Sequence, residues 1–306
     1  MRSALINNIQ TELASNPTSY LLTGDLGFGI FDGFSQKYPK QFFNCGIAEQ
    51  NMTSVACGLA HEGATVFTYS IGNFSTLRCL EQIRNDVCYH NSNVTVITVG
   101  AGFSYGQLGV SHFATEDIAI MSALPNISIF SPCDTFEVES LFPQFLSLNS
   151  PKYFRIDKSS CPGLPLYPLK IGVPRLCHQS SSRIALLATG GIVEEAMLAA
   201  DVLKSDGLDP TVYSVHTLKP IVAEFIQTLS SSYDFIFTLE EHNSFGGLGS
   251  ILAHALFSQS SKPIRFKSFC IPDTYPSVVG DQRYLRQYYG LDAPSLVSSI
   301  RSFFSL

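Results

Sequence analysis

The stretch Phe42-Phe43-Asn44-Cys45-Gly46-Ile47-Ala48-Glu49-Gln50-Asn51-Met52 places a carboxylate at a strand-to-helix corner in an otherwise apolar neighbourhood. Phe42 and Phe43 close a short strand. From Ala48 onward, Ala48, Met52, Val55, Ala56 and Leu59 recur at helical spacing, which puts Glu49 in the first turn of the next helix. An isolated glutamate there is an ordinary partner of the helix dipole. A carboxyl group held out of water is a different matter: it costs several kcal/mol if ionised alone, so its pKa is expected to rise and sharing a proton with a ring nitrogen becomes favourable.

Outward from this corner, short apolar strands alternate with helical periods, the signature of parallel α/β layers. Residues 65–69, 94–99 and 127–130 read as strands, with helices over 74–90 and 115–123. A Pro-, Ser- and Cys-rich stretch, 159–182, contains Pro162, Pro165, Pro168 and Pro174 and interrupts the alternation as a linker. A second βαβ system follows: strands at 184–189, 212–215 and 235–239, and a helix whose apolar stripe is Val193, Ala196, Met197, Ala200 and Leu203, ending before Gly207. With 306 residues and 45% hydrophobic content the chain can bury two cores, giving an α/β fold of two parallel-sheet domains, 1–158 and 183–306.

A net charge of −6 argues against a nucleic-acid surface, and no apolar run approaches the ~20 residues of a membrane span. The eight cysteines form no Cys-x-x-Cys pair and read as reduced, mostly buried thiols, which with the absence of a leader-like N-terminus gives a soluble, cytoplasmic expectation and no metal site. Gly100-Ala101-Gly102 followed by Gly106 misses the dinucleotide-binding spacing by one position. Gly246-Gly247-Leu248-Gly249 opens a helix, and a close helix-to-sheet turn explains it better than an anion site. His112 and Glu116 lack a third metal ligand nearby.

The segment Gly46-Ile47-Ala48-Glu49-Gln50 resembles the cofactor-activating motif of the transketolase and deoxyxylulose-phosphate synthase superfamily, and the resemblance runs collinearly from about residue 20 to the C-terminus. Leu22-Thr23-Gly24-Asp25-Leu26-Gly27 is similar to the opening strand of the family's pyrimidine-binding domain, and Glu81-Gln82-Ile83-Arg84-Asn85 to the helix after its cofactor-stacking segment. Ser131-Pro132-Cys133-Asp134-Thr135-Phe136-Glu137 resembles its Pro-x-Asp-x-x-Glu turn. Thr238-Leu239-Glu240-Glu241-His242 and the glycines 246, 247 and 249 resemble its C-terminal domain.

The resemblance implies thiamine diphosphate as cofactor, with Glu49 hydrogen-bonding N1′ of the aminopyrimidine as activator. Phe67, Tyr69 and Phe74 lie where the family supplies its stacking ring, Phe74 being the preferred candidate, and Ile71 and Arg78 complete the implied cofactor pocket. Ordinary core packing is the more common fate of any one of these aromatics. His112 falls on the family's substrate-binding histidine, where an imidazole can hydrogen-bond the donor's oxygens, or serve as a satisfied structural side chain. Arg155 falls where the family places an arginine on the sugar phosphate. Two positions depart: Leu108 stands where the family carries an Asp that reads a substrate hydroxyl, and Gly100 where transketolases proper have a His. Both remove polar recognition groups, so ordinary pentose-phosphate specificity is not expected and a specialised sugar pathway is.

Nothing in the chain resembles the family's Gly-Asp-Gly followed by Asn, which holds Mg²⁺ and the cofactor diphosphate. The implied protein is a β subunit in an α2β2 assembly, inert alone, whose N-terminal-half partner (α) holds the diphosphate and Mg²⁺ while β subunits also contact each other. The implied reaction transfers a two-carbon ketol or acyl-anion unit from a sugar phosphate or keto donor to an aldehyde or sugar acceptor. A 2-oxo-acid dehydrogenase β subunit or deoxyxylulose-phosphate-synthase-like enzyme, and a non-catalytic scaffold paralogue, remain open.

Overall fold

Apolar runs buried on both faces build this fold, and they need helices on each side to cover them. The structure is a computed structural model and describes residues 1–259 and 262–305. Its strands are β1 (Ser19–Thr23), β2 (Phe42–Asn44), β3 (Thr65–Ile71), β4 (Val94–Val99), β5 (Ser128–Phe130), β6 (Lys152–Ile156), β7 (Arg175–His178), β8 (Ile184–Ala188), β9 (Thr211–Ser214), β10 (Thr217–Lys219), β11 (Phe235–Asn243) and β12 (Arg265–Ile271). They form a seven-stranded sheet, β10-β5-β6-β4-β3-β1-β2, and a five-stranded sheet, β12-β11-β8-β9-β7. Pairing is parallel except at two edges, where β10 meets β5 and β7 meets β9 antiparallel. The α/β reading of two mostly parallel sheets therefore holds. Among the described residues no helix is long and apolar enough to cross a membrane.

The two sheets are more closely joined than a linker between two separate cores implies. Strand β10, deep in the C-terminal half, returns to extend the first sheet: Thr217 pairs with Phe130 and Lys219 with Ile129. One apolar cluster runs from Leu22 and Met52 in the first half to Leu187, Val215 and Leu252 in the second. Two further clusters cover the outer faces, one under the helices Arg2–Ser15 and Thr135–Leu146, the other under Val193–Lys204 and Ala293–Phe303. Within 159–182, Arg175–His178 is itself the edge strand β7.

The helix expected over 74–90 is broken. It runs as Gly72–Ser75, a turn, Leu80–Gln82 and a π-helical stretch, Ile83–Cys88. The hydroxyls of Ser75 and Thr76 donate to the carbonyls of Ile71 and Gly72 at 3.2 and 2.7 Å, offering the backbone acceptors an alternative to the regular ladder.

Arg155, expected on a sugar phosphate, is instead a structural cation of the domain junction. It is 2% exposed. Its Nε donates to Asp117 Oδ2 at 2.7 Å, and its Nη2 to the carbonyls of Ala114 and Glu241 at 2.9 and 3.1 Å. A guanidinium so engaged offers no open fork to a substrate. Replacing it with an apolar chain would leave Asp117 charged and buried, so Arg155→Met should cost about 3–5 kcal/mol in urea unfolding. The double variant with Asp117→Asn should recover part of that loss, and a cost for Arg155→Met below about 1 kcal/mol would refute the structural assignment.

Candidate active site

The corner that carries Glu49 is assembled by short polar side chains. Asn44 Oδ1 accepts the backbone N–H of Gly46 at 2.9 Å and of Asp25 at 3.1 Å, while its Nδ2 donates to Asp25 Oδ1. Gly46 sits at φ +72°, a conformation glycine adopts freely, and the chain turns there into the helix Glu49–His61. Glu49 thus lies at the helix N-terminus, 1% exposed, where the dipole favours a negative charge. Gly24, at the end of β1, makes room for it: an added Cβ would come 3.0 Å from Glu49 Cγ.

Glu49 is not the unpaired carboxyl expected from sequence. Arg78 Nη1 donates to its Oε2 at 2.7 Å and Ser70 Oγ to its Oε1 at 3.3 Å. The Arg78 guanidinium also lies 4.5 Å from the centre of the Phe74 ring, a cation–π distance. Phe74 in turn meets the His112 ring edge-on at 5.2 Å, and His112 meets Tyr105 at 6.3 Å. Lys158 Nζ sits 3.8 Å over Tyr105. A continuous path of contacts runs from the buried carboxylate to an exposed cation: Glu49, Arg78, Phe74, His112, Tyr105, Lys158.

The fold brings Glu49, Phe74, Arg78 and His112 together, but not Phe67, Tyr69 or Ile71. Alternate residues of a strand point to opposite faces. Ser70 on β3 faces Glu49, whereas Phe67, Tyr69 and Ile71 belong to the opposite face. There Phe67 stacks on Phe142 and Tyr69 meets Phe31, both rings almost fully buried, and Ile71 packs beside them. Those three sequence expectations are corrected: Phe67 and Tyr69 are core, and Ile71 is partly buried against it.

His112 and Leu108 share one loop, folded against the Phe74 segment by Asn73 Nδ2, which donates to the carbonyls of Val110 and Ser111. Gly72 permits the approach, since a Cβ there would fall 2.6 Å from Ala114 Cβ. His112 Nδ1 engages Ser111 Oγ at 2.9 Å. Leu108 is exposed and lines a cavity of about 340 Å³ with Tyr105, Lys158, Asp281 and Gln282. Across the Tyr105–Lys158 stack lies a second cavity of about 300 Å³, lined by Arg2, Gly100, Asp157 and Lys158. Gly100 has a structural reason to be glycine: it sits at φ +92°, and a Cβ would fall 2.2 Å from the Tyr105 ring. A larger apolar groove, beside Leu256, Phe257 and Phe266, lies apart from all these groups.

Tyr105 and Lys158 were not singled out from sequence. The usable signal for Lys158 is its place two residues beyond β6, at the carboxyl ends of parallel strands, where loops gather functional groups. Partial burial and the charge of Arg2 lower its pKa from the ordinary lysine value. Among the described residues it has no ion-pair partner. The Cys133, Asp134 and Glu137 cluster is close enough for a metal, but its carboxylates are taken by Arg175 and by the backbone N–H groups of Cys133 and Glu137.

Known proteins share this outline. Residues 1–163 match the family model of the transketolase pyrimidine-binding domain, and residues 176–296 that of the transketolase C-terminal domain. The chain is 32% identical over 269 residues to one of the subunits of an apulose-4-phosphate transketolase from Actinobacillus succinogenes, covering 86% of this chain and 85% of that one. It is 31% identical over 266 residues to a 6-deoxy-6-sulfo-D-fructose transketolase subunit of a Clostridium species, covering 86% and 81%. A split-gene transketolase solved as an inactive β4 tetramer superposes with a TM-score of 0.86 at 29% identity, covering 98% of this chain and 96% of that one.

The Glu49–Arg78 pair joins a buried group to a chain 41% exposed, so its net contribution is modest. A double-mutant cycle with Glu49→Gln and Arg78→Met should give a coupling of about 1 kcal/mol in urea unfolding. Zero coupling would show that the pair adds nothing to stability.

Proposed function

From the premise that this chain belongs to the transketolase family, as a thiamine-diphosphate-dependent, transketolase-like subunit, we propose that the Glu49 site holds the aminopyrimidine end of that cofactor. The reaction is transfer of a two-carbon unit from a keto donor to an aldehyde or sugar acceptor. The observation that carries this reading is the Glu49–Arg78–Phe74–His112 cluster. Its donor set fits the group: Arg78 is a planar cation that gives an N–H to Glu49 while lying on Phe74. A protonated aminopyrimidine ring makes the same two demands.

Bound cofactor supplies carbanion stabilisation through its thiazolium. The protein's own groups do the rest. Glu49, held out of water at the helix N-terminus, would accept a hydrogen bond from a ring nitrogen in the place taken here by Arg78, and Phe74 offers the flat apolar wall. Because Nδ1 of His112 is engaged by Ser111, Nε2 is the nitrogen left to orient a donor's carbonyl or hydroxyl oxygen. Lys158, rather than Arg155, is the cation available to a substrate phosphate. Leu108 presents an apolar wall where a hydroxyl would otherwise be read, which suits a deoxygenated or branched sugar.

The proposal includes an α partner that carries the diphosphate site and Mg²⁺, in an α2β2 assembly with β–β contacts. Exposed apolar residues flanking the Glu49 corner, Phe28 at 82% and Ile47 at 78%, support such docking. A cytoplasmic location, where eight free thiols stay reduced, is part of the same reading.

The test is reconstitution with the α subunit, Mg²⁺ and thiamine diphosphate, followed by a screen of ketose phosphates and 2-oxo acids as donors. Glu49→Gln should lower turnover by about 10²–10⁴-fold. Wild-type turnover in that variant would reject the reading. Lys158→Met should raise KM roughly tenfold for a phosphorylated substrate while leaving kcat near its starting value. An unchanged KM would remove Lys158 from the site.

A further inference from the structure

The C-terminal half contributes no group to the contact path that begins at Glu49, yet its side chains hold the loop that carries Tyr105, Leu108 and His112. We propose that Glu241 is a positioning residue for this loop, with Gln282 and Arg286 setting its carboxylate; the proposal rests on the role given to His112 above.

Near its end, strand β11 carries three buried polar residues, Glu240, Glu241 and His242. The register with β12 shifts between Leu239 and Asn243, and the three side chains serve different neighbours. Glu240 accepts the N–H groups of Leu248 and Gly249 at 2.6 and 2.8 Å and so stays within its own half. Glu241 reaches across the junction. Its Oε2 accepts the backbone N–H of Phe103 at 2.8 Å, and Gln282 Nε2 donates to it at 3.0 Å. Arg286 Nε donates to its Oε1. The approach is so close that a Cβ on Gly102, at φ +54°, would fall 2.3 Å from Glu241 Oε2.

Gln282 makes the brace a network rather than a single bond. Its amide also donates to Asp157 Oδ1 at 2.9 Å, and Ser104 Oγ donates to that oxygen at 2.8 Å. Arg286, 4% exposed, donates to Ser159 Oγ and lies near Asp157 and Glu195. Farther along the loop, Gly280 N–H meets the Gly106 carbonyl at 3.3 Å, and Asn243 N–H meets the Thr115 carbonyl at 2.7 Å. Between these anchors, residues 107–111, mostly exposed and tied to the Phe74 segment by Asn73, present Leu108 and lead into His112.

A buried carboxylate that binds a backbone N–H fixes a loop more rigidly than a neutral acceptor does, because a charge-assisted bond is the stronger one. Displacing a substrate-orienting imidazole by about 1 Å can cost on the order of 10²-fold in rate, so a remote brace bears on donor binding. Glu241 touches the loop backbone and not the His112 ring, which makes it a positioning residue. A purely structural role predicts a change in stability alone.

The experiment compares Glu241→Ala, Glu241→Gln and Gln282→Ala. The isolated chain gives the NMR position of the His112 ring proton, set by ring currents from Phe74 and Tyr105. The complex reconstituted with its α subunit gives the KM of the ketose phosphate that turns over fastest in the screen. Glu241→Ala should move the His112 signal and raise donor KM about tenfold. Glu241→Gln, which keeps an oxygen for Phe103 N–H, should restore both towards wild type. Gln282→Ala leaves the Glu241–Arg286 pair in place, should fold even if Glu241→Ala does not, and should shift both readouts in the same direction. Unchanged His112 signal and donor KM in Gln282→Ala and in folded Glu241→Ala would overturn the proposal. His112→Ala is measured alongside: if it alone raises donor KM, only the brace fails, and if it too leaves donor KM unchanged, the functional reading falls and the brace with it.

Discussion

A fully buried guanidinium organises this molecule. Taking a charge out of water costs several kcal/mol, and the cost is offset only where every donor finds an acceptor. Arg155 gives its Nε and Nη2 donors acceptors of that kind and so joins three parts of the chain. It stands on β6, pairs with Asp117 at the start of the helix Asp117–Ser122, and donates to the carbonyls of Ala114 before that helix and Glu241 on β11. Tyr153, two residues earlier on the same face of β6, adds its hydroxyl to Asp117 at 2.6 Å. The loop ahead of Asp117 is therefore tied to both sheets, and that loop carries His112.

The same logic, at lower cost, governs the other end of the site. Glu49 is buried beside a half-exposed arginine, so its charge is compensated without a second fully buried ion. The arrangement is local. Asn44 shapes the corner, Gly24 and Gly72 remove side-chain bulk where β1 and the loop must approach, and Arg78 bridges the carboxylate to the Phe74 ring. Glycine at these approaches carries as much of the site's geometry as the charged groups do.

Legibility from sequence varied with the range of the cause. The Glu49 corner could be read because the strand, the turn and the helical stripe all lie within some twenty residues. Strand β8 could be read because a buried parallel strand is a continuous apolar run, and β3 and β4 because β-branched and aromatic residues dominate them. Phe67 and Tyr69 were misplaced although Thr68 and Ser70 alternate with them, because the alternation separates two faces without saying which one meets the Glu49 corner, and Ser70's bond to Glu49 reveals that only after folding. The helix over 74–90 was misread because Ser75 and Thr76 look unremarkable until their hydroxyls turn back on the carbonyls of the preceding turn.

The sequence by itself determined the fold class, the carboxylate at the corner and the family, since each depends on residues close together or on motifs in a fixed order. Only the tertiary structure decided the use of the cations. Arg155 and Lys158 lie three residues apart, and neither side chain announces its fate. One is enclosed by Asp117 and two carbonyls from distant segments, and the other is left over Tyr105 at the cavity mouth. The destination of a long charged side chain depends on which acceptors the rest of the chain brings within hydrogen-bonding reach, and that information is spread over segments more than eighty residues apart.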